Sequence, residues 1–555
     1  RLSIIDTSSA GHQPMSYKQG KLWIIYNGEI YNYLELREQL RSKGYTFKTQ
    51  TDTEVVLAAY DYWGANCTRH FNGDWAYALY DLEKNQIILS VDRVGVKSLY
   101  FAQDGNCLIF ASEIKALYNI NSLIPEPNYE SLSIYLLTSL HDFSNETMVK
   151  NIYKAKPSYN VIINLKTRKI LNIKYWQKHL NIRNVKFSNS KADIYANDIY
   201  NILHHAVKIR LRSDVNIGSC LSGGLDSSIV VALINKNLKN QHILDPLQLT
   251  FSATYPNYPK IDETKWIDLI TYNKEIKNYK VNPKINEFLN DLDDLIYCQD
   301  EPFASTSIYA QYKVMKEASK FVKVLLDGQG ADELFAGYKI YYANYLREGN
   351  YLDILKKVNL VPTKELIGDI LILVKISTLI EILKVQKFHK YLSNIIYNKK
   401  IKKIPPLTSE FNQVMKNNIF SRYFKRYQKS LNSLLFLDEF FFKLPHLLRY
   451  EDRNSMKWSV ESRTPFTDYR LIEYALSIPA AYKIHHGYNK WILRYAFRDI
   501  IPRNIITRND KIGFETPEHI WLKKILSCLE IKKGSKINHF AWRYYNCCRF
   551  IENLQ

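Results

Sequence analysis

The chain has 555 residues, of which 46% are hydrophobic, and a formal net charge of +21 at neutral pH. This length allows two or more domains with separate cores, and the composition excludes a disordered or fibrous protein. The basic excess suits a nucleic-acid or anionic-membrane partner, or else a lysine-rich solvated surface. Because no nucleic-acid-binding module accompanies the charge, we favour the solvated surface and expect no nucleic-acid partner.

The cysteines and the most apolar segment bear on the cellular compartment. Seven cysteines are scattered along the chain without a C-x-x-C pair, which argues against a disulfide framework or zinc site and favours a reducing cytoplasm. The most apolar segment, residues 365–385, is interrupted by Asp369, Lys375 and Glu381. We therefore expect a buried or amphipathic helix there, no membrane insertion, and a cytoplasmic protein. Residues 398–406, rich in lysine, are predicted to form an exposed loop.

From residue 1 to about 175 the pattern is one of short strands separated by turns. The runs KLWIIYNGEIYN, WAYALYD, QIILSVDR, SLYFAQDGNCLIFAS and YNVIINLKTRK show alternation or brief apolar stretches, punctuated by Asn-Gly and Asp-Gly. One helix, YLELREQLRSKG, is predicted from its spaced leucines and ends at Gly44. The pattern predicts an α+β domain dominated by antiparallel sheet.

From about residue 190 onward, helices alternate with strands. NDIYNILHHAVKIRLRS and DSSIVVALINKNL have helical patterns, whereas VNIGSCLS, LDPLQLTFSAT and VKVLLDGQG read as short buried strands. Such alternation is typical of a parallel α/β sheet. Residues 340–450 are predicted to be helical and rich in lysine.

The segment SGGLDSS, Ser222–Ser228, follows a predicted strand and opens a predicted helix. Backbone N–H groups and the helix dipole bind anions in that setting, and Gly223 and Gly224 allow the backbone to approach a phosphate closely. The segment lacks the Walker pattern. Asp226 could hold a magnesium ion that bridges phosphate oxygens. Taken alone, an ordinary tight turn with an N-cap is the alternative.

A second Gly-rich turn, in LLDGQGADELFAGY, favours the phosphate site. It also follows a buried strand and carries Asp332 and Glu333. Because ligands collect at the carboxyl ends of parallel strands, we expect Asp226 and Asp332 to face each other across a magnesium–nucleotide complex. Lys490 and Arg494, four residues apart on one predicted helical face, could offset the developing phosphate charge.

Six ordered segments together resemble the glutamine-hydrolysing asparagine synthetases: RLSIID, NGEIYN, SGGLDSS, DGQGADELFAGY, LLRYEDRNSMKWSVESRTPF and KWILRYAF. SGGLDSS itself is similar to the pyrophosphate loop of the N-type ATP pyrophosphatases. The resemblance covers essentially the whole chain. It implies a class II glutamine amidotransferase domain, an Ntn-type αββα sandwich, over residues 1–180. It further implies an α/β ATP-pyrophosphatase domain, a parallel sheet with helical additions, over residues 190–555.

The same resemblance implies the chemistry and the small-molecule partners. Glutamine would be hydrolysed to ammonia, and L-aspartate would be activated by ATP and Mg²⁺ as a β-aspartyl-adenylate with release of diphosphate. Ammonia would arrive through an internal tunnel and displace AMP, which yields L-asparagine. A homodimer is compatible with the family.

Roles in the glutamine site are implied for five residues. Arg1 would clamp the glutamine α-carboxylate, for which a guanidinium fork is suited. Asn27 and Gly28 would form a catalytic oxyanion hole, and Glu29 and Asp52 would bind the α-amino group. By local signal alone, Asn27-Gly28 favours a hairpin turn over a catalytic role. Only the joint match of all six segments favours catalysis.

Roles in the synthetase half follow in the same way. Lys490 and Asp332 would be catalytic, with Lys490 stabilising the transition state of adenylation, and Asp226 and Asp332 would bind the metal. Arg463, Glu461 and Asp452 either scaffold the substrate pocket or form buried ion pairs. The residues implied to contact ATP are Ser222, Gly223, Gly224, Asp226, Ser227, Ala253, Asp327 and Gly328.

Two departures from the family pattern are visible. The family's nucleophile is an N-terminal cysteine, whereas this sequence starts at Arg1. Since the pocket residues remain, we expect a leading segment to be missing rather than a switch to free ammonia. The second departure is Gln329, where the best-studied asparagine synthetases carry a glutamate; glutamine cannot exchange a proton near neutral pH. The same departure is familiar among synthetase-like homologues, some of which amidate other carboxylates.

Three alternatives to an asparagine synthetase therefore stay open. A related enzyme could amidate a uronate sugar or a peptide carboxylate through the same adenylate. A tRNA-thiolating pyrophosphatase would suit the basic charge, but it would need a reactive cysteine pair near the nucleotide, and Cys220 stands alone. A non-catalytic homologue would have no reason to retain Asp226, Asp332 and Lys490 together.

Overall fold

A computed structural model of the chain describes residues 2–118, 123–177, 180, 185–240, 247–272, 275–348, 430–510, 515–528 and 538–554. Arg1, the apolar segment 365–385 and the lysine-rich segment 398–406 lie outside the described residues. Among the helices within these ranges, none has both the length and the apolar character needed to cross a membrane.

The N-terminal domain contains two antiparallel sheets and four α-helices within the described ranges. The strands are β1 (Met15–Tyr17), β2 (Leu22–Ile30), β3 (Gly73–Asp81), β4 (Gln86–Val91), β5 (Tyr100–Asp104), β6 (Cys107–Ala111), β7 (Ile152–Lys154), β8 (Tyr159–Asn164) and β9 (Ile170–Lys174). The helices are α1 (Tyr33–Arg41), α2 (Asp52–Trp63), α3 (Ile114–Tyr118) and α4 (Tyr129–Thr138).

These elements form four layers. The larger sheet has the order β1-β2-β3-β4-β8-β9 and the smaller one β6-β5-β7. Apolar side chains of both sheets, among them Ala78, Leu89, Phe101 and Phe110, pack into one cluster between them. Helices α1 and α2 pack on the other face of the large sheet, and α3 and α4 on the other face of the small one. The predicted αββα sandwich is confirmed.

The local turn signal of Asn27-Gly28, which the joint match of the six segments had overruled, is not realised in the structure. The two residues lie inside β2, where they pair with Ala76 and Trp75 of β3. Gly28 has a φ of +133°, and a Cβ there would lie 2.1 Å from the carbonyl oxygen of Asp74. The glycine is therefore required by close contact between two strands, and the turn signal of the dipeptide is overridden by its neighbours.

The C-terminal domain contains a parallel sheet with helices around it. Its strands are β10 (Ile217–Cys220), β11 (Gln248–Ala253), β12 (Ile276–Val281), β13 (Val324–Leu326) and β14 (Glu461–Arg463). Its helices up to the undescribed segment are α5 (Asn189–Arg210), α6 (Leu225–Asn240), α7 (Thr264–Thr271), α8 (Ile285–Gln299), α9 (Ser307–Ala318), α10 (Ala331–Phe335) and α11 (Lys339–Arg347). The helices after it are α12 (Leu431–Leu437), α13 (Leu444–Lys457), α14 (Tyr469–Ser477), α15 (Ala480–Lys483), α16 (Trp491–Ala496), α17 (Arg503–Ile506), α18 (Glu518–Cys528) and α19 (Asn538–Leu554).

The strand order β12-β11-β10-β13-β14 is parallel throughout. The predicted parallel α/β sheet is confirmed, because helices α6, α7 and α9 connect successive strands as the alternating pattern indicated. The carboxyl ends of β10 and β13 are adjacent in the centre of the sheet. Loops that follow these two strands therefore meet at one place.

Buried polar contacts join the two domains. Lys97 forms an ion pair of 2.9 Å with Asp452 of α13, and Arg449 of the same helix contacts Asp142 at 2.7 Å. Apolar residues of both domains also belong to one continuous core cluster. Helix α13 is thus one of the elements through which the C-terminal domain contacts the N-terminal domain.

Candidate active sites

A cavity of about 460 Å³ opens beside β2 in the N-terminal domain. The predicted glutamine-site residues Asn27, Gly28, Glu29 and Asp52 all line it. The cavity is not made by this domain alone. Its C-terminal-domain lining consists of Asp452, Arg453, Met456 and Glu461.

Glu29 and Asp52 form a buried carboxyl pair in this cavity. Asp52 accepts hydrogen bonds from the Tyr26 hydroxyl at 2.7 Å and from the backbone N–H of Ile30 at 3.0 Å. Burial, with the Asp52 charge adding to it, raises the pKa of Glu29 well above its usual value; burial also raises the pKa of Asp52. One oxygen of Glu29 has no hydrogen-bond partner. A buried pair of acids of this kind is complementary to an ammonium group.

The remaining glutamine-site predictions are placed as follows. The Asn27 side chain is half-buried, with its amide nitrogen 3.5 Å from the Ser112 hydroxyl. Gly28 contributes backbone to the cavity wall. Arg1 lies outside the described residues.

A second cavity, of about 320 Å³, lies at the carboxyl ends of β10 and β13. The loop after β10 leads into α6, and a Cβ at Gly328 in the loop after β13 would be 3.1 Å from the backbone nitrogen of Ser227. Gly223 and Ala253 are not part of the cavity lining, although they were predicted to contact the nucleotide. The predicted residues that do line it are Ser222, Gly224, Asp226, Ser227, Asp327, Gly328, Asp332 and Lys490.

Lys490 joins the two acidic loops. Its ammonium group contacts Asp226 and lies 2.6 Å from Asp332. Burial opposes the charge, but the two carboxylates outweigh it and raise the pKa of Lys490. Gly337 leaves the space for this arrangement, because a Cβ there would lie 1.6 Å from Asp332 Oδ1 and 2.3 Å from Lys490 Cε. The site therefore holds a fixed positive charge between two carboxylates.

Arg494 also lines this cavity, but not on the predicted shared helical face. Lys490 precedes α16 with a φ of +54°, whereas Arg494 lies within the helix. The Arg494 guanidinium donates to the carbonyl of Asn489 at 2.8 Å. Burial lowers its pKa to about 10, which still leaves it positive at neutral pH.

The donor set at Asp226 and Asp332 fits a magnesium ion. The Asp226 Oδ1 atom is buried without a hydrogen-bond partner, and one ammonium already contacts both carboxylates. Magnesium in nucleotide sites takes one or two carboxylates and completes its coordination with phosphate oxygens and water. In the described part of the chain, no group of three or more His, Cys, Asp or Glu side chains could hold a metal ion, so phosphates and water would have to supply the other ligands.

Arg508 was not predicted by any motif. Its guanidinium donates to the carbonyl of Gly223 at 3.1 Å, pairs with Glu263 at 2.7 Å and lies 4.7 Å from the ring centroid of Trp266. Gly223 itself has a φ of +74°. Arg508 thus braces the phosphate loop and also lines the cavity. Its position more than two hundred and eighty residues away in sequence carries no local signal.

Cys220 lines the same cavity but is not an activated thiol. Burial, together with the nearby Asp327 carboxyl, raises its pKa well above the usual value. A thiolate is therefore disfavoured. This argues against the thiolating alternative.

Asp452, Glu461 and Arg463 were predicted either to scaffold the substrate pocket of the synthetase half or to form buried ion pairs. The structure shows the ion pairs: Arg463 contacts Glu461 at 2.8 Å and Lys97 pairs with Asp452, all of them buried. Asp452 and Glu461 line the glutamine-site cavity, Arg463 lines neither cavity, and none of the three lines the nucleotide cavity.

Comparison with known proteins gives two family matches and a set of relatives. Residues 198–535 match the asparagine synthase family, and residues 1–176 match the glutamine amidotransferase domain. Asparagine synthetase [glutamine-hydrolyzing] 1 of Bacillus subtilis is 30% identical, over 94% of this chain and 80% of the relative. Asparagine synthetase [glutamine-hydrolyzing] 3 of the same organism is 29% identical, over 95% and 82%. The amidase chry2 of Gibberella zeae is 26% identical, over 94% and 81%.

Proposed function

Because the chain belongs to the asparagine synthase family of ATP-dependent, glutamine-hydrolysing ligases, we propose that its product is L-asparagine. The substrates would be L-aspartate, L-glutamine and ATP, and the other products L-glutamate, AMP and diphosphate. The observation that carries the proposal is the contact of Lys490 with both Asp226 and Asp332 beside the phosphate loop. We assign residues 1–180 to glutamine hydrolysis and residues 190–555 to amide synthesis.

The synthetase step would take place in the cavity at the strand ends. The aspartate β-carboxylate attacks the α-phosphorus of ATP, a P–O bond breaks and diphosphate leaves. Ser222, Gly224 and Ser227 would hold the departing phosphates at the start of α6. Lys490 would stabilise the charge that develops on them, since a buried cation is worth more in a site that excludes water. Ammonia then attacks the acyl carbon and AMP leaves.

A magnesium ion bound by Asp226 and Asp332 would neutralise phosphate charge and polarise the phosphoryl group. In the free site the same two carboxylates contact Lys490 and raise its pKa, so the group is protonated there.

The glutamine step would use the other cavity. Glu29 and Asp52 would bind the α-ammonium group of glutamine, for which a buried pair of acids is suited. Asn27 and Gly28 would stabilise the oxyanion formed at the side-chain amide. Arg1 would bind the α-carboxylate.

The test is diphosphate release from ATP and Mg²⁺ with and without L-aspartate, with ammonium as the nitrogen donor. Ammonium makes the readout independent of glutamine hydrolysis. We expect aspartate-dependent diphosphate release, with asparagine and AMP formed in equal amounts. Lys490→Met should lower the rate by about 10² or more, the range for loss of one preorganised charge. Lys239→Met, a change at a half-exposed lysine of α6, is the matched control.

The result that contradicts the proposal is ATP binding without any effect of aspartate. A second candidate would then apply, in which the same adenylation acts on another carboxylate, such as a uronate or a peptide. Gln329 in the nucleotide cavity and the similarity to an amidase both favour testing those acceptors next. Absence of ATP binding would instead indicate a non-catalytic homologue.

A further inference from the structure

The two cavities share a wall, and one helix supplies much of it. Leu447 and Tyr450 of α13 line the nucleotide cavity, whereas Asp452, Arg453 and Met456 of the same helix line the glutamine-site cavity. Strand β14 runs beside this wall. Glu461, at its start, lines the glutamine-site cavity, and the backbone of Arg463, at its end, accepts from the N–H of Asp327 at 3.0 Å.

Glu451 lies in this wall, between a residue of each cavity. Its side chain is 2% exposed and belongs to neither lining. Glu451 interacts electrostatically with one residue of each cavity: Asp327 of the nucleotide cavity and Asp452 of the glutamine-site cavity. Lys97, the partner of Asp452, is the nearby positive charge.

The hydrogen bonding of Glu451 is incomplete. Its Oε1 atom accepts from the Ser462 hydroxyl, whereas Oε2 is buried without a partner. Burial, with the charge of Asp327, raises the pKa of Glu451 well above its usual value, which favours the neutral acid. An unsatisfied buried polar atom costs about 1–3 kcal/mol. The contact with Ser462 uses only one oxygen of Glu451, so it does not explain why a second, unpaired oxygen is buried here.

We propose that Glu451 is the polar contact for ammonia as it crosses from the glutamine-site cavity to the nucleotide cavity. The inference rests on the proposed function, because it requires glutamine-derived ammonia to be consumed at the nucleotide. Ammonia has three N–H donors and one lone pair, so it can donate a hydrogen bond to the free oxygen of Glu451 or accept one from the acid O–H, with both groups remaining neutral. A neutral carboxyl binds the neutral molecule without holding it as an ion pair, and it replaces part of the hydration that ammonia loses in the wall.

The test compares two nitrogen donors in variants of the protein, prepared in a form that hydrolyses L-glutamine. With L-glutamine, the ratio of glutamate to diphosphate formed measures how much ammonia is lost before use. With saturating ammonium, the diphosphate rate measures the nucleotide site alone. In Glu451→Leu we expect that ratio to rise about five- to tenfold, the change that corresponds to one lost hydrogen bond. The ammonium-driven rate should stay at the wild-type level.

Two further variants separate this role from a structural one. Glu451→Gln keeps a neutral hydrogen-bonding group of the same length and should couple the two reactions nearly as well as the wild type. Glu301→Leu removes another buried carboxyl of the domain interface, one that lines neither cavity, and should leave the ratio unchanged.

Several outcomes would overturn the proposal. An unchanged ratio in Glu451→Leu places the crossing elsewhere, and an equal fall in the ammonium-driven rate assigns Glu451 to the nucleotide site. An equal rise in Glu301→Leu means that any loosening of the interface leaks ammonia. If the ratio of glutamate to diphosphate rises as much in Glu451→Gln as in Glu451→Leu, a neutral hydrogen-bonding group is not sufficient and the ionised carboxylate is needed. A wild-type protein without aspartate-dependent diphosphate release contradicts the proposed function instead.

Discussion

Two carboxyl groups of the glutamine-site cavity are buried without a full compensating positive charge. Glu29 and Asp52 are 3% and 5% exposed, and both have raised pKa values, with burial as the first cause. The neighbouring guanidinium of Arg463, 3.7 Å from Glu29, offsets this only in part. A ligand with an α-ammonium group would supply the missing positive charge, so its binding should be linked to a proton.

Binding of L-glutamate, which has the same α-amino group as glutamine, should therefore release a proton. The sign follows from the raised pKa values: the free site holds a proton that the bound ammonium displaces, so affinity rises as the pH rises through the raised pKa. Calorimetric titration in buffers of different ionisation enthalpy measures the release. We expect it to fall in Glu29→Gln and to be unchanged in Glu83→Gln, an exposed control in the same domain. Binding without proton exchange at every pH would contradict the prediction.

Two short helices help to position the charged groups of the nucleotide site. Helix α10 presents Asp332, the residue before α16 is Lys490, and Gly337 lies against both side chains. Neither helix is long enough to be stable alone. Their mutual packing therefore sets the contact between the charges, and a methyl group at Gly337 would intrude on it.

Gly337→Ala should lower aspartate-dependent diphosphate release by about 10², the effect expected when a catalytic group is displaced by about 1 Å. The reason is steric, since the new Cβ would overlap Asp332 Oδ1 and Lys490 Cε. Gly105→Ala, in the turn between β5 and β6 where a Cβ meets nothing within 4 Å, is the control. Because Gly105 has a positive φ, this control measures the effect of backbone strain on activity when no atom obstructs the new methyl group. Retained activity in Gly337→Ala at wild-type melting temperature would show that the two loops adjust freely.

Across the whole molecule, buried charges hold the two domains together. Arg449 of α13 donates to Asp142 at 2.7 Å and to the carbonyl of Gln299 at 2.6 Å, and Lys154 contacts Asp142 at 3.1 Å. Burial opposes ionisation of Asp142, but Arg449 and Lys154 outweigh it and hold the pKa of Asp142 well below its usual value. The C-terminal helix α19 adds apolar contacts with α4 of the N-terminal domain.

Arg449→Met should lower the free energy of unfolding by about 3–5 kcal/mol at pH 7, because it leaves Asp142 buried with less compensation. A depressed folded-state pKa contributes stability above the unfolded pKa of about 3.9 and loses it as pH falls below that value. The difference between wild type and variant should therefore shrink below about pH 4. Denaturant unfolding from pH 7 to 3 measures it. Arg41→Met, which breaks an exposed ion pair with Glu38, is the control and should change the free energy of unfolding little. Equal free energies of unfolding for the two variants at pH 7 would contradict the prediction.

Some of the fold and the site could be predicted because the signals are local. Alternation along β2, the turn into α6 and the short run of β13 each depend on a few adjacent residues, and the structure has all three elements. The turn signal of Asn27-Gly28 misleads for the same reason. A local turn signal cannot reveal that the partner strand approaches within the radius of one methyl group.

The sequence by itself determined the two domains, some of their strands and helices, the two Gly-rich loops and the family to which they belong. Only the tertiary structure decided that Lys490 contacts Asp226 and Asp332, that Arg508 braces Gly223, and that Glu451 lies between two cavities. Residues that form these contacts are far apart in the chain. Their proximity results from tertiary packing, and no nearest-neighbour pattern encodes such packing.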